Sequence, residues 1–191
     1  MTKTKLALLT LSLAALVACT PKPVEQKVAV DVHFDLSGLL DEQIEQLLAA
    51  NAQLEKFLTS GEDKETITIT PDSLGWARQL RLFYEADINK PGFKGDYFEE
   101  KLPAINGASK TIFSAKNQKH PVQVMECIYE EGRLKEIRVL VKETNTIYNA
   151  TKEMNLYFDE GEKLVGFNIQ GGESMTLKKD LDYSIQGTVV L

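Results

Sequence analysis

The sequence predicts an α+β fold, with two N-terminal helices packed on a curved, mostly antiparallel meander sheet, occupying residues 28–191. Three observations predict it. Apolar residues recur at helical spacing from about Leu36 to Leu58, and again from Pro71 to about Asp87. After Ser109 the period changes to two, the alternation of half-buried strands. Those strands follow one another with no helix between them, which argues against a parallel sheet.

Taken in order, Val28, Val30, Val32 and Phe34 alternate with Ala29, Asp31 and His33 and predict a first strand. The first helix gathers Leu36, Leu40, Ile44, Leu47, Leu48, Leu54 and Phe57 on one side and is expected to stop at Ser60-Gly61, with acids in its first turn suiting the helix dipole. Thr66 to Thr70 reads as a brief β-branched strand. Thr70 then serves as N-cap and Pro71 as the first helical residue of the second helix, which Asn89-Lys90-Pro91-Gly92 terminates. Phe93 to Asn106 is expected to be irregular.

The meander comprises alternating runs around Phe113, Val139, Leu156, Phe167 and Ile185, a short strand at Met175 and Leu177, and a central strand, Val122 to Tyr129, apolar on both faces. Turns are expected at Glu130-Glu131-Gly132, Asp159-Glu160-Gly161-Glu162 and Gly171-Gly172.

The N-terminus belongs to none of this. Lys3 and Lys5 precede an uninterrupted apolar and hydroxyl run, Leu6 to Val17, too short for the roughly 20 residues of a spanning helix. The run ends in Leu16-Val17-Ala18-Cys19, which matches the lipobox of bacterial lipoprotein signals. The resemblance implies cleavage before Cys19, a diacylglyceryl group on its sulfur, and attachment to a membrane through that lipid. Residues 1–18 are then the signal peptide and 19–27, with Pro21 and Pro23, an extended tether. Two or three acyl chains hold a protein to a bilayer essentially permanently, whereas one holds it only reversibly.

Removing 18 of 191 residues leaves 173, enough for a single domain with a real core. The removed segment takes two of the 22 cations and none of the 28 acids, so the formal charge moves from −6 to −8. Such a chain makes a poor nucleic-acid binder, because phosphate contacts need clustered Lys and Arg. With Cys19 acylated only Cys127 remains, so no disulfide within the chain is possible.

The chemistry-bearing residues are few. Cys127 as a nucleophile would need a base, and only His33 and His120 exist. Cys127 lies in the strand apolar on both faces, and the reading is a buried structural thiol. No serine sits in a G-x-S-x-G elbow. Two histidines and one free cysteine do not build a usual zinc site, and Asp159 to Glu162 lacks the ligand pattern of an EF-hand. No metal and no cofactor is expected. Carboxylates paired in space, as in glycoside hydrolysis, leave no sequence signal. The aromatic group around Trp76, Phe93 and Tyr97 has two readings: core packing of the second helix, or an apolar ligand pocket between helix, loop and sheet.

The layout resembles uncharacterised envelope lipoproteins of the Bacteroidota. The likeness rests on a helix after Phe34-Asp35, the string Ala86-Asp87-Ile88-Asn89-Lys90-Pro91, and the ending Tyr183-Ser184-Ile185-Gln186-Gly187. That group carries no activity over to any residue. Thr20 follows Cys19 where aspartate would signal inner-membrane retention, and the tether lacks an acidic export cluster. By resemblance the expected place is the periplasmic face of the outer membrane. The expectation for function is non-enzymatic binding or envelope assembly, with an apolar ligand or an envelope protein as partner. A hydrolase using convergent carboxylates and a purely structural lipoprotein are the alternatives.

Replacing Cys19 with Ala should abolish incorporation of labelled fatty acid and leave unprocessed precursor. Label in the variant, or none in the wild type, contradicts the lipobox reading.

Overall fold

Asn51 and Asn106 are where the chain departs from the fold its periodicity predicts. The computed structural model describes residues 28–29, 33–176 and 178–191. Cys19, the tether and the expected strand positions Val30 and Val32 lie outside the described residues, as does Leu177. Among the described residues the chain is a mainly-β protein, not the predicted α+β domain with two helices. Ten strands form one open antiparallel sheet, and only three short helices accompany it.

The first helix, α1 (Leu36–Ala49), ends well before Ser60. Asn51 sits at φ 51°. The Asn51 N–H donates to the Leu48 carbonyl at 3.1 Å and the Ala52 N–H to that of Leu47 at 3.0 Å. These are the paired bonds of a Schellman cap, with asparagine in the left-handed position that glycine usually fills. Beyond it, Leu54 and Leu58 fit a period of two as well as a helical one, and they belong to strand β2 (Gln53–Ser60). A two-residue turn at Gly61-Glu62 leads into β3 (Asp63–Ile69).

The second helix starts later than expected and breaks in two. Asp72, not Thr70, caps α2 (Ser73–Gln79), its Oδ1 accepting from the Gly75 N–H at 2.7 Å. Leu80 leaves helical geometry (φ −95°, ψ 7°) before α3 (Arg81–Glu85). At the start of α1 the charge at the helix end comes from Asp35 as N-cap, accepting from the Gly38 N–H at 2.9 Å, rather than from acids within the first turn.

The stretch expected to be irregular contains a 3₁₀ turn at Pro91–Phe93 and then β4 (Tyr97–Ile105). Asn106 and Gly107, at φ 53° and 85°, make the two-residue turn to β5 (Ala108–Ala115). Both central residues have positive φ, the geometry that matches strand twist and favours Asn-Gly. The rest is a meander: β6 (Val122–Glu130), β7 (Arg133–Thr144), β8 (Tyr148–Phe158), β9 (Leu164–Met175) and β10 (Lys178–Val190). Gly171-Gly172 is not a turn but lies inside β9. Turns at Glu131-Gly132 and Asp159–Glu162 fall where expected; Asp159 Oδ1 accepts from the Gly161 and Lys163 N–H groups at 2.8 and 2.9 Å.

The strand order is β1-β4-β5-β6-β7-β8-β9-β10-β2-β3, with β1 (Val28–Ala29) on β4. Register puts one apolar row across the sheet: Phe113, Met125, Val139, Met154, Ile169 and Ile185 stand opposite one another on successive strands. Across β9 and β10, Phe167 faces Gly187 and Gly171 faces Tyr183. In each pair a Cβ on the glycine would collide with the facing ring. The aromatic therefore fills the space that its glycine partner leaves.

The helices cover this apolar face. Leu36, Leu40, Ile44 and Leu47 of α1 are buried, with Trp76, Leu80 and Phe83 beyond them. Each large side chain so buried contributes about 1.5–3 kcal/mol. Phe83 meets Phe167 edge-on at 6.1 Å. Polar bonds set the position of α1. Buried Gln43 donates to the Glu162 carbonyl at 3.1 Å and accepts from the Leu164 N–H at 2.7 Å, satisfying the backbone where β9 begins. Ser37 donates to Asp87 at 2.7 Å, and Tyr84 to Asp41 at 2.6 Å.

Candidate functional site

The three aromatic residues singled out from sequence do not form one group. Trp76 and Tyr97 are each 0% exposed and belong to the hydrophobic core. The Tyr97 hydroxyl donates to the Val122 carbonyl at 2.9 Å, and burial raises its pKa well above the usual phenol range. Phe93, half-buried in the 3₁₀ turn, packs edge-on against Tyr97 at 6.2 Å. Trp76 lies on α2, within the helix layer.

What joins Phe93 and Tyr97 is the pair of histidines. His33 Nε2 is 2.9 Å from the Phe93 carbonyl oxygen, which accepts its proton, and the ring meets Tyr97 at 5.4 Å. The His33 backbone N–H donates to Asn89 Oδ1 at 3.2 Å. His120 packs on Phe93 at 5.2 Å and pairs through Nε2 with Asp96 at 3.0 Å. Both rings are therefore engaged in holding the segment before α1 and the turn at Phe93 against the head of β4. Sequence reading treated these histidines only as candidate bases, because they are 87 positions apart, from 33 to 120.

Cys127 has no part in that cluster. It is 0% exposed on β6, on the core face. Burial pushes its thiol up to about 12, opposed by a hydrogen bond with Tyr129 and reinforced by the charge of Glu99. Among the described residues no three His, Cys, Asp or Glu side chains gather to hold a metal ion, and no helix is long and apolar enough to cross a membrane.

Among the described residues the other face of the sheet carries no helix, and there β8, β9 and β10 show mostly polar side chains. Alternation fixes which side chains it shows. Asn155, Asn168 and Gln186 stand in one row; Glu153, Gln170 and Ser184 make the next, continued by Thr59 of β2. Thr151, Gly172 and Asp182 form a third row, and Tyr157, Gly166 and Thr188 a fourth. Two adjoining hollows of about 830 and 310 Å³ lie over this grid and share Gln170 and Ser184. At Gly172 the absence of a side chain leaves room for the Asp182 carboxylate, whose Oδ1 would be 3.0 Å from a Cβ there. A register shift between Lys178 and Leu181 lies beside the larger hollow, which Asp180 also lines. Along the chain Asn155, Gly166 and Asn168 are set apart only by alternating with apolar residues. Their convergence depends on strand register, which a single strand does not reveal.

Comparison of the chain with protein-family models, with curated proteins and with solved structures finds no match.

The thiol should be inert in the folded protein. A maleimide at pH 7.5 is expected to label Cys127 only after denaturation; rapid labelling of the native chain would mean that the thiol is accessible and ionised.

Proposed function

We propose that this chain is a lipid-anchored, non-enzymatic binding protein of the bacterial envelope, held through Cys19 at the periplasmic face of the outer membrane. It takes its ligand on the helix-free face of β8, β9 and β10. The observation that carries the proposal is the division of labour between the two faces. The candidate nucleophile and both candidate bases are engaged in packing and structural hydrogen bonds, while the helix-free face presents a hollow whose lining includes the Gln170 amide, the hydroxyls of Thr59, Thr151 and Ser184, and the carboxylates of Glu153, Asp180 and Asp182. Such a surface can hold a ligand by several directed bonds.

A second reading, hydrolysis by paired carboxylates, draws on Glu153 and Asp182, which line the same hollow. Both are exposed to solvent, whereas a hydrolytic pair works in an enclosed site.

The detergent-solubilised full chain should co-purify with a molecule, read by mass spectrometry, whose amount falls about tenfold when Gln170 and Asp182 are both replaced by Ala, the size expected from losing two ligand hydrogen bonds. Equal amounts in both preparations would remove the hollow from the account.

A further inference from the structure

We infer that the ligand of this face is a neutral oligosaccharide, laid across β8, β9 and β10. The inference deepens the binding reading above and rests on it.

The first observation is the unusual chemistry of the grid. Four of its twelve positions are amides: Asn155, Asn168, Gln170 and Gln186. Asn and Gln together make up only 17 of the 191 residues of the chain. A sheet face that only has to stay wet has no use for such a concentration. A side-chain amide offers two donors and two acceptor sites on one rigid plane. A vicinal diol, in which each hydroxyl gives one proton and accepts others, is the ligand group that uses both at once. The hydroxyls of Ser184 and Thr188 and the carboxylates of Glu153 and Asp182 add bonding sites of the same kind.

The second observation is charge. The described residues lining the two hollows include Glu153, Asp180 and Asp182 but no lysine or arginine. Arg138 stands opposite Asn155 on β7, yet Glu136 neutralises it through bonds of 2.8 and 2.7 Å. The carboxylates of Glu153, Asp180 and Asp182 would repel phosphate, sulfate and uronate groups. Carboxylates accept readily from hydroxyls, so an uncharged polyol is favoured over an anionic one.

The third observation is the pair of aromatic side chains on the same face. Phe57 continues the amide row at Gln186 and is 42% exposed; Tyr157 begins the neighbouring row and is 37% exposed. The Tyr157 hydroxyl accepts from Asn155 Nδ2 at 3.3 Å, which couples the ring to the amide row. Exposed rings beside amides suit a pyranose, whose polar rim bonds to amides while its C–H face lies on an aromatic surface. The larger hollow, about 830 Å³, lies within the range of small-molecule sites and extends into the smaller, which suits a short chain of sugars.

The test uses the detergent-solubilised full chain on an array of neutral linear oligosaccharides, α- and β-linked glucose, mannose and N-acetylglucosamine series of increasing length, with heparin fragments as the anionic comparison. The expected result is retention on at least one neutral series, none on heparin, and binding weakened about tenfold or more by Asn168→Ala with Gln170→Ala. Tyr157→Ala should weaken it as well. These positions are exposed or half-exposed, so thermal unfolding checks that each variant keeps its fold. No retention on any neutral series, retention unchanged by the variants, or preference for heparin would overturn the inference. In the first and last of these cases a co-purifying molecule lost on Gln170/Asp182 replacement still supports the binding reading. Shortening of a retained sugar would support the ligand class and overturn the non-enzymatic reading.

Discussion

The pairing of β2 with β10 is the constraint on which the rest of the structure depends. From β4 to β10 each strand pairs with its neighbour in sequence, so the meander needs only short turns. The β2–β3 hairpin precedes the meander yet docks at its far edge, with Gln53 opposite Val190 and Ser60 opposite Tyr183. Closing a loop of that length costs entropy that grows only slowly with length, but it must be lost before any contact compensates. Eight residue pairs along the seam and the burial of Leu54 beneath the helices supply that compensation.

Once the seam forms, the two faces of the sheet acquire different tasks. The side chains of Leu54 and Leu58 on β2 join the face that α1, α2 and α3 cover, and Gln43 fixes that layer by bonding the backbone at the start of β9. On the opposite face Thr59 extends the row of Glu153, Gln170 and Ser184, and Phe57 extends the amide row. Without the hairpin β10 would be an edge strand, its backbone open to pairing with another chain. The proposed ligand surface therefore belongs to residues far apart in sequence that one seam brings together.

This explains how much was legible beforehand. The alternation of the meander was readable because each strand has one apolar face, and the turn at Glu131-Gly132 because its chemistry is local. The first helix was extended too far because Leu54 fits both periods, and the signal that decides, Asn51 in the left-handed region, resembles any other polar residue until a cap is considered. Asn106-Gly107 carried a plain hairpin signature that the aromatic content of the preceding stretch obscured. Gly171 looked like a turn residue and is a partner for the Tyr183 ring, a role visible only when β10 is set beside β9. For the candidate site, Trp76 and Tyr97 stood out through size, and size is what placed them in the core. Asn168 and Gln170 did not stand out, since a polar residue gains meaning here only from its neighbours on other strands.

The most direct measurement of this account is a cross-link across the seam. Glu55 and Thr188 are opposite one another on β2 and β10, and both are exposed. With both replaced by cysteine, mild oxidation should join them in the native protein, because opposed strand positions bring the two Cα atoms within disulfide range. Cysteines at Glu55 and Gln186, one diagonal step off register, should join far less. Efficient joining of the diagonal pair, or of neither, would contradict the β2–β10 seam, and with it the surface proposed to bind the ligand.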